Sequence, residues 1–358
     1  MLTEKDINIF TIVKDKNNIS PLRQWCIDSW KKCMPNANIM IFADNDLNNP
    51  NWKYYDVIKN DRLWNYYKNR TQFPSKSDSI SPISTDSIRI RLLKAIPNAL
   101  YMDSDAYLNI TSKELLKLFN DHYDTDILIE QIHFNPDVSK TAHSFAFTGY
   151  FAGGKNKLLD AGITCYNNIS ARDVFDDATM TLKYYNHSYH NLPYVNVSSS
   201  DGHHLQYHIA LSHMNRIIDN NRNMINTYID TVNVVILKCQ YLSKYHSLDD
   251  VIDYMFFKYN KCNDNNYYLI IVDGDICRHF DYWNWTCDTK AHRINKCNNS
   301  YYNLTRIVGI RYFSSTQYQE FIAKLKETIN NHFKSPLEIN YYELEDPGDN
   351  SPCLLKKI

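Results

Sequence analysis

Residues 84–108 read "STDSIRIRLLKAIPNALYMDSDAYL", and a change of pattern inside this stretch decides the fold. Ile88, Leu92, Leu93 and Ile96 recur at helical spacing behind Ser84 and Thr85, either of which can open a helix. Pro97-Asn98 turns the chain, and Ala99 to Leu108 then reads as one apolar strand running through Asp103-Ser104-Asp105. Two carboxylates two residues apart on a strand project to the same face, where they repel unless something positive lies between them.

The same logic extends to both sides. Upstream, "INIFTIV" (7–13) is a short buried strand, and "SPLRQWCIDSWKKCM" (20–34) is a helix carrying Leu22, Trp25, Ile27 and Trp30. Pro35 ends that helix, and "NIMIFADND" (38–46) is a second strand entering a polar turn. A strand, a helix and a strand within about forty residues imply a βαβ unit and a parallel sheet. "DRLWNYYKNR" (61–70) carries an aromatic stripe of the kind that usually packs a core. Downstream come a helix in "SKELLKLFNDHY" (112–123) and strands in "DILIE" (126–130), "TVNVVIL" (231–237) and "YYLIIVD" (267–273). A last helix, "TQYQEFIAKLKETINNHF" (316–333), repeats Phe321, Leu325, Ile329 and Phe333 every four residues. Three of the eight glycines fall between Gly149 and Gly154, where backbone turns tightly or approaches something closely. No linker or repeat divides the chain. The expectation is an α/β fold with one domain over 1–335, helical and loop insertions, and a C-terminal tail over 336–358.

Charge excludes some partners. Lys and Arg number 39 against 40 Asp and Glu, so no electrostatic footprint for nucleic acid or an anionic membrane exists. No window approaches a transmembrane span, and the N-terminal residues lack the apolar core of a signal peptide. The nine cysteines include no CxxC pair, which suits a reducing, cytoplasmic setting.

Asp-x-Asp alone is weak, because the chain holds four: Asp44/Asp46, Asp103/Asp105, Asp124/Asp126 and Asp273/Asp275. The first sits in a polar turn and the third at a helix-to-strand join, where aspartate is favoured for bonds to nearby backbone. The other two follow apolar strands, where ligands bind in open α/β sheets. What singles out Asp103/Asp105 is the helix before it. Asp86 and Arg89 are three apart and share a face, so an acid, a guanidinium and two carboxylates can converge at one sheet edge. A divalent cation with oxygen ligands would offset the repulsion and bridge to phosphate oxygens.

At these residues the chain resembles the DxD-containing glycosyltransferases of the GT-A fold. The block "TDSIRIRLLKAIPNALYMDSDAYL" is similar to their S-D-x-x-R…(G-G)-x-Y-x-D-x-D segment. That group includes fungal outer-chain mannosyltransferases, capsule and lipopolysaccharide sugar transferases, and the glucosyltransferase domain of clostridial toxins. "QWCIDSWKKCMPNANIMIFADND" (24–46) is similar to the family's W-x-x-x-x-P segment after the first strand. Together these cover about the first third of the chain. Two features depart: Thr85 replaces the family's serine, and Pro97-Asn98-Ala99 replaces its glycine pair, closer to glycogenin-like transferases.

The resemblance implies a metal-dependent, retaining hexosyltransferase with a Rossmann-like, mostly parallel sheet flanked by helices. The donor would be a UDP- or GDP-hexose and the acceptor a glycan, a lipid-linked sugar or a protein. Asp103 and Asp105 would hold Mn²⁺ or Mg²⁺, with Asp105 the more direct ligand. Asp86 and Arg89 would hold the ribose or sugar and its phosphate, and Thr11, Ile12 and Val13 would line the base pocket. The family's closing Ser/His-x-Trp loop is best matched by "RHFDYWNWT" (278–286), offering His279 to the metal and Trp283 and Trp285 to the donor.

Three rivals stand beside this reading. A degenerate transferase fold could bind a glycan or partner without turnover. Asp273 and Asp275 could serve an aspartate-based phosphatase, although the expected DxDG(T/V) is absent. In "SSSDGHHLQYHIALSH" (198–213), His204 and His208 are four apart, a zinc spacing on a helix, with Asp201 and His203 nearby. Leu205 stands where a metalloprotease needs glutamate.

Overall fold

The computed structural model describes residues 1–68, 82–121, 128–129, 195–196, 206–209, 211–238, 266–273, 301–307, 309–333, 337–345 and 354–358. The chain divides into two units, Met1–Gln206 and Tyr207–Ile358. It is mixed α/β, with sheets of mainly parallel strands and helices between them.

In the first unit, β1 (Asn8–Val13), α1 (Pro21–Cys33) and β2 (Asn38–Ala43) form the βαβ unit expected from the sequence. Three short helices follow, α2 (Asp44–Leu47), α3 (Tyr55–Ile58) and α4 (Arg62–Lys68). Then come α5 (Pro82–Ala95), β3 (Ala99–Tyr101), β4 (Ala106–Leu108) and α6 (Ser112–Asp121). The two-residue strands β5 (Leu128–Ile129) and β6 (Val195–Asn196) pair in parallel. The main sheet has the order β2-β1-β3, all parallel, with Thr11 opposite Ile41 and Phe10 opposite Tyr101. Crossovers of one hand that leave β1 for β2 and then pass back to β3 must cover opposite faces. Ile7 and Ile9 accordingly pack with Ile27 and Trp30 of α1, and with Leu115 and Phe119 of α6. Phe10 and Ile12 pack on the other side with Ile88, Leu92, Leu93 and Ile96 of α5.

Two expectations need correction here. Helix α5 begins at Pro82, before Ser84, because proline is well suited to a first helical turn. More consequentially, Ala99–Leu108 is two strands. Met102 still donates to Phe10 O at 3.0 Å, but Ala106 N then turns back to Asp103 O at 2.9 Å. Asp103 and Asp105 therefore flank a turn and do not share a strand face. Asp and Ser are favoured turn residues, which is why the ladder stops there.

Helix α5 is buried on most sides, so its polar side chains need buried partners. Asp61, 1% exposed, supplies them: Ser87 Oγ and Arg91 Nε donate to its Oδ2 at 2.5 and 2.6 Å. Its Oδ1 accepts from Trp64 N at 2.7 Å, which caps α4. Asn98 takes a left-handed φ of 46°, a conformation asparagine tolerates better than most residues, and its amide donates to Asp6 O.

In the second unit, β7 (Gln206–His208) lies at the boundary and α7 (Leu211–Tyr228) leads to β8 (Thr231–Leu237). The rest comprises β9 (Asn266–Asp273), β10 (Tyr301–Ile307), α8 (Ser315–His332), β11 (Glu338–Glu345) and β12 (Leu354–Lys357). The order is β10-β9-β8-β11-β12, with four parallel strands and β12 antiparallel. β8 and β9 are buried on both faces, as their unbroken apolar runs require. Residues after 335 thus supply two strands of this sheet. Helix α8 starts in a capping box between Ser314 and Gln317, with Phe321, Leu325 and Ile329 buried and Phe333 at its C-cap.

Replacing Asp61 by alanine strands Ser87 and Arg91 in the core, and should destabilise the first unit by about 3 kcal/mol in denaturant titrations. Gly309 has φ +77°, and an added Cβ would lie 2.1 Å from the buried ring of Tyr207. Gly309→Ala should therefore lower the melting temperature of the second unit by calorimetry.

Candidate functional site

The C-terminal edge of the β2-β1-β3 sheet holds the described members of the set singled out in the sequence: Thr11, Ile12, Val13, Arg89, Asp103 and Asp105. Thr11, Ile12 and Val13 end β1 and are all buried, with Ile12 in the α5-side core. Asp103 leaves the end of β3. Because Tyr101 and Asp103 are two apart in extended chain, both face α5. Tyr101 Oη donates to Asp103 Oδ1 at 2.7 Å. Arg89 stacks over the Tyr101 ring, its Cζ 4.7 Å from the centroid, and its Nη1 reaches to 3.8 Å from Asp103 Oδ1. The pairing of Arg89 with Asp103 across the helix–strand junction is thus present.

The two aspartates occupy different settings. The Asp103 side chain keeps 31% of its exposure, whereas Asp105 is 4% exposed. The chain just beyond Asp105 is tied to α1: Trp30 Nε1 donates to Ala106 O at 2.7 Å, and Ser29 Oγ accepts from Leu108 N at 2.9 Å. The ring of Trp25 lies 4.2 Å from that of Tyr107.

Two cysteines of α1 are held as thiols. Burial pushes the Cys26 thiol well up, with the Asp105 charge adding to the rise and the Arg23 charge opposing it. Burial, with help from Glu4 and Glu114, raises Cys33 to about 12, and its Sγ donates to Ile110 O.

Other expected residues are not described, or take another setting. Asp86 lies on α5 three residues before Arg89, and its side chain is outside the described residues. His279, Trp283, Trp285, Asp275, Asp124, Asp126, Asp201, His203 and His204 also fall outside them, as does the glycine cluster at 149–154. Gln206–His208 is a strand, so the helical spacing proposed for His204 and His208 does not hold. Asp273 is fully buried at the end of β9 and accepts from Arg311 N at 3.1 Å, a contact that holds a turn.

Sequence reasoning missed three contributors. Tyr101 was detectable, since its i, i+2 relation to Asp103 puts both on one face. Arg23 and Asp61 carried no such signal, because their environments are made by distant segments. Asp44, read as a turn residue, sits half-buried in the one-turn helix α2, with Oδ1 buried and without a hydrogen bond among the described residues. Asp46 does fit the turn reading, accepting from Ala43 N at 2.8 Å and pairing with Lys16 at 2.7 Å.

Among the described residues, no three His, Cys, Asp or Glu side chains converge as a metal cage, and no helix is long and apolar enough to cross a membrane. No family model matches the chain, and no curated protein matches it.

Burial raises the Asp44 carboxyl above its ordinary 3.8, with Lys14 partly opposing. A raised acid favours the folded state only while protonated, so its penalty is absent below 3.8 and full above the folded value. Asp44→Asn should therefore melt higher than wild type at pH 7, and the difference should vanish towards pH 3 in a pH series of thermal melts.

Proposed function

We propose that the chain is a metal-dependent glycosyltransferase of the GT-A type, moving a hexose from a UDP- or GDP-sugar to a glycan, lipid-linked or protein acceptor, with retention. The observation that carries this reading is the cluster of Arg89, Tyr101 and Asp103 at the C-terminal edge of a parallel sheet, with Asp105 two residues on. Such edges are where α/β sheets hold nucleotide ligands.

The donor chemistry of these residues fits a hard divalent ion. Mg²⁺ and Mn²⁺ take oxygen ligands, and one or two carboxylates suffice when substrate phosphates complete the shell. Asp105 and Asp103 would hold it. When bound, the ion would supply Lewis-acid stabilisation of the departing diphosphate. The protein's own contribution is positional. Tyr101 holds one oxygen of Asp103 and underlies the Arg89 guanidinium, fixing a cation beside the carboxylate. Arg89 is 8% exposed, so its charge acts through a low-dielectric setting on the negative charge that develops on the leaving group. Asp105, held under the α1–β4 contacts, is excluded from bulk water. Thr11 to Val13 present the end of β1 to the base.

The test is a panel of UDP- and GDP-hexoses with and without Mn²⁺. The expected result is Mn²⁺-dependent hydrolysis of one donor, lost by about a thousandfold in Asp105→Ala and reduced about a hundredfold in Arg89→Lys, with both variants folded. If neither turnover nor metal-dependent binding appears for any donor, the transferase reading is overturned.

A further inference from the structure

On the opposite face of the same sheet edge lies an arginine that this function leaves unused. Arg23 stands in the first turn of α1, four residues before Ile27 and seven before Trp30, so it shares their sheet-facing side. α1 runs back along β1, which places that first turn over the C-terminal edge. Arg23 is only 6% exposed, yet its Nε is buried without a hydrogen-bond partner among the described residues. A desolvated cation in that condition is strongly disfavoured unless a counter-charge arrives.

Three further observations indicate what arrives. Thr11 stands on the α1 face of β1, in alternation with Ile9, and its hydroxyl is likewise buried with no partner among the described residues. The helix is 13 residues long, capped by Ser20, so the positive end of its dipole lies at the same edge. Asp105 lies close enough for its charge and that of Arg23 to act on the same Cys26 thiol. A phosphoryl group has oxygens enough to meet a buried cation on one side and a metal-capable carboxylate on the other.

We infer that Arg23, at the first turn of α1, binds a phosphoryl oxygen of the ligand held at Asp103 and Asp105, from the sheet face opposite Arg89. The two arginines then bracket a diphosphate, with Arg23 supplying the planar donor fork that phosphate geometry favours. This rests on the donor-site reading for the identity of the ligand, and goes beyond it by adding a second, independent anchor for the anion.

The experiment is calorimetric titration of the full chain with inorganic pyrophosphate, with and without Mn²⁺, alongside donor hydrolysis. Wild type should bind pyrophosphate. Arg23→Met should weaken binding about ten- to a hundredfold, the scale of one or two lost charge-assisted hydrogen bonds. Arg23→Lys, which keeps the charge but not the fork, should fall between the two. Should Arg23→Met fail to fold, the Arg23→Lys affinity carries the decision. Wild-type affinity in either folded variant, or no pyrophosphate binding by wild type, would make Arg23 a buried counter-charge and overturn the inference. Arg23-dependent pyrophosphate binding without turnover of any donor would sink the transferase reading and leave the anion site standing. Unaltered kcat and KM for the donor in Arg23→Lys would do the reverse.

Discussion

The buried carboxylate of Asp61 is the constraint on which the first unit turns. A carboxylate removed from water must be met by several donors, and here they come from Ser87, Arg91 and the backbone of Trp64. Ser87 and Arg91 are one helical turn apart, so Asp61 fixes the rotation of α5 about its own axis. Arg89 lies midway between them in sequence, about 200° round the helix from each, and therefore faces away from Asp61 towards Tyr101 and Asp103. A rotation of one residue would strand Asp61 and bury Arg89 against aliphatic side chains. Core satisfaction and placement of the site cation are one requirement.

The sheet edge is organised by its two faces. Alternation along β1 sends Phe10 and Ile12 towards α5 and Ile9 and Thr11 towards α1. Each face then brings its own arginine to the edge, Arg89 from α5 and Arg23 from α1. Arg89 meets a partly solvated acid, Asp103, at 3.8 Å.

The legible part of the fold is the part that periodicity records. The spacing of apolar side chains reports which faces of an element are covered, so the helices α1, α5, α6 and α8 and the strands β1, β2, β8 and β9 were legible. So was the convergence of Arg89 with Asp103, because a helix that runs straight into a strand brings nearby residues together. The break between β3 and β4 was masked by apolar residues on both sides, even though Asp-Ser-Asp is turn chemistry. The side-chain partners of Asp61 come from a segment far away in sequence, and no local pattern encodes them. His208 shows the converse failure, where a spacing suited to a helix fell on a strand.

The turn carrying Asp103 and Asp105 is gripped at both ends. Before it, Met102 is bonded to Phe10 in the sheet, and after it Ala106 and Leu108 are bonded to Trp30 and Ser29 of α1. A loop held in this way has few conformations to lose. Any group that bound there would meet charges already in position, and its association would spend little free energy on ordering the protein.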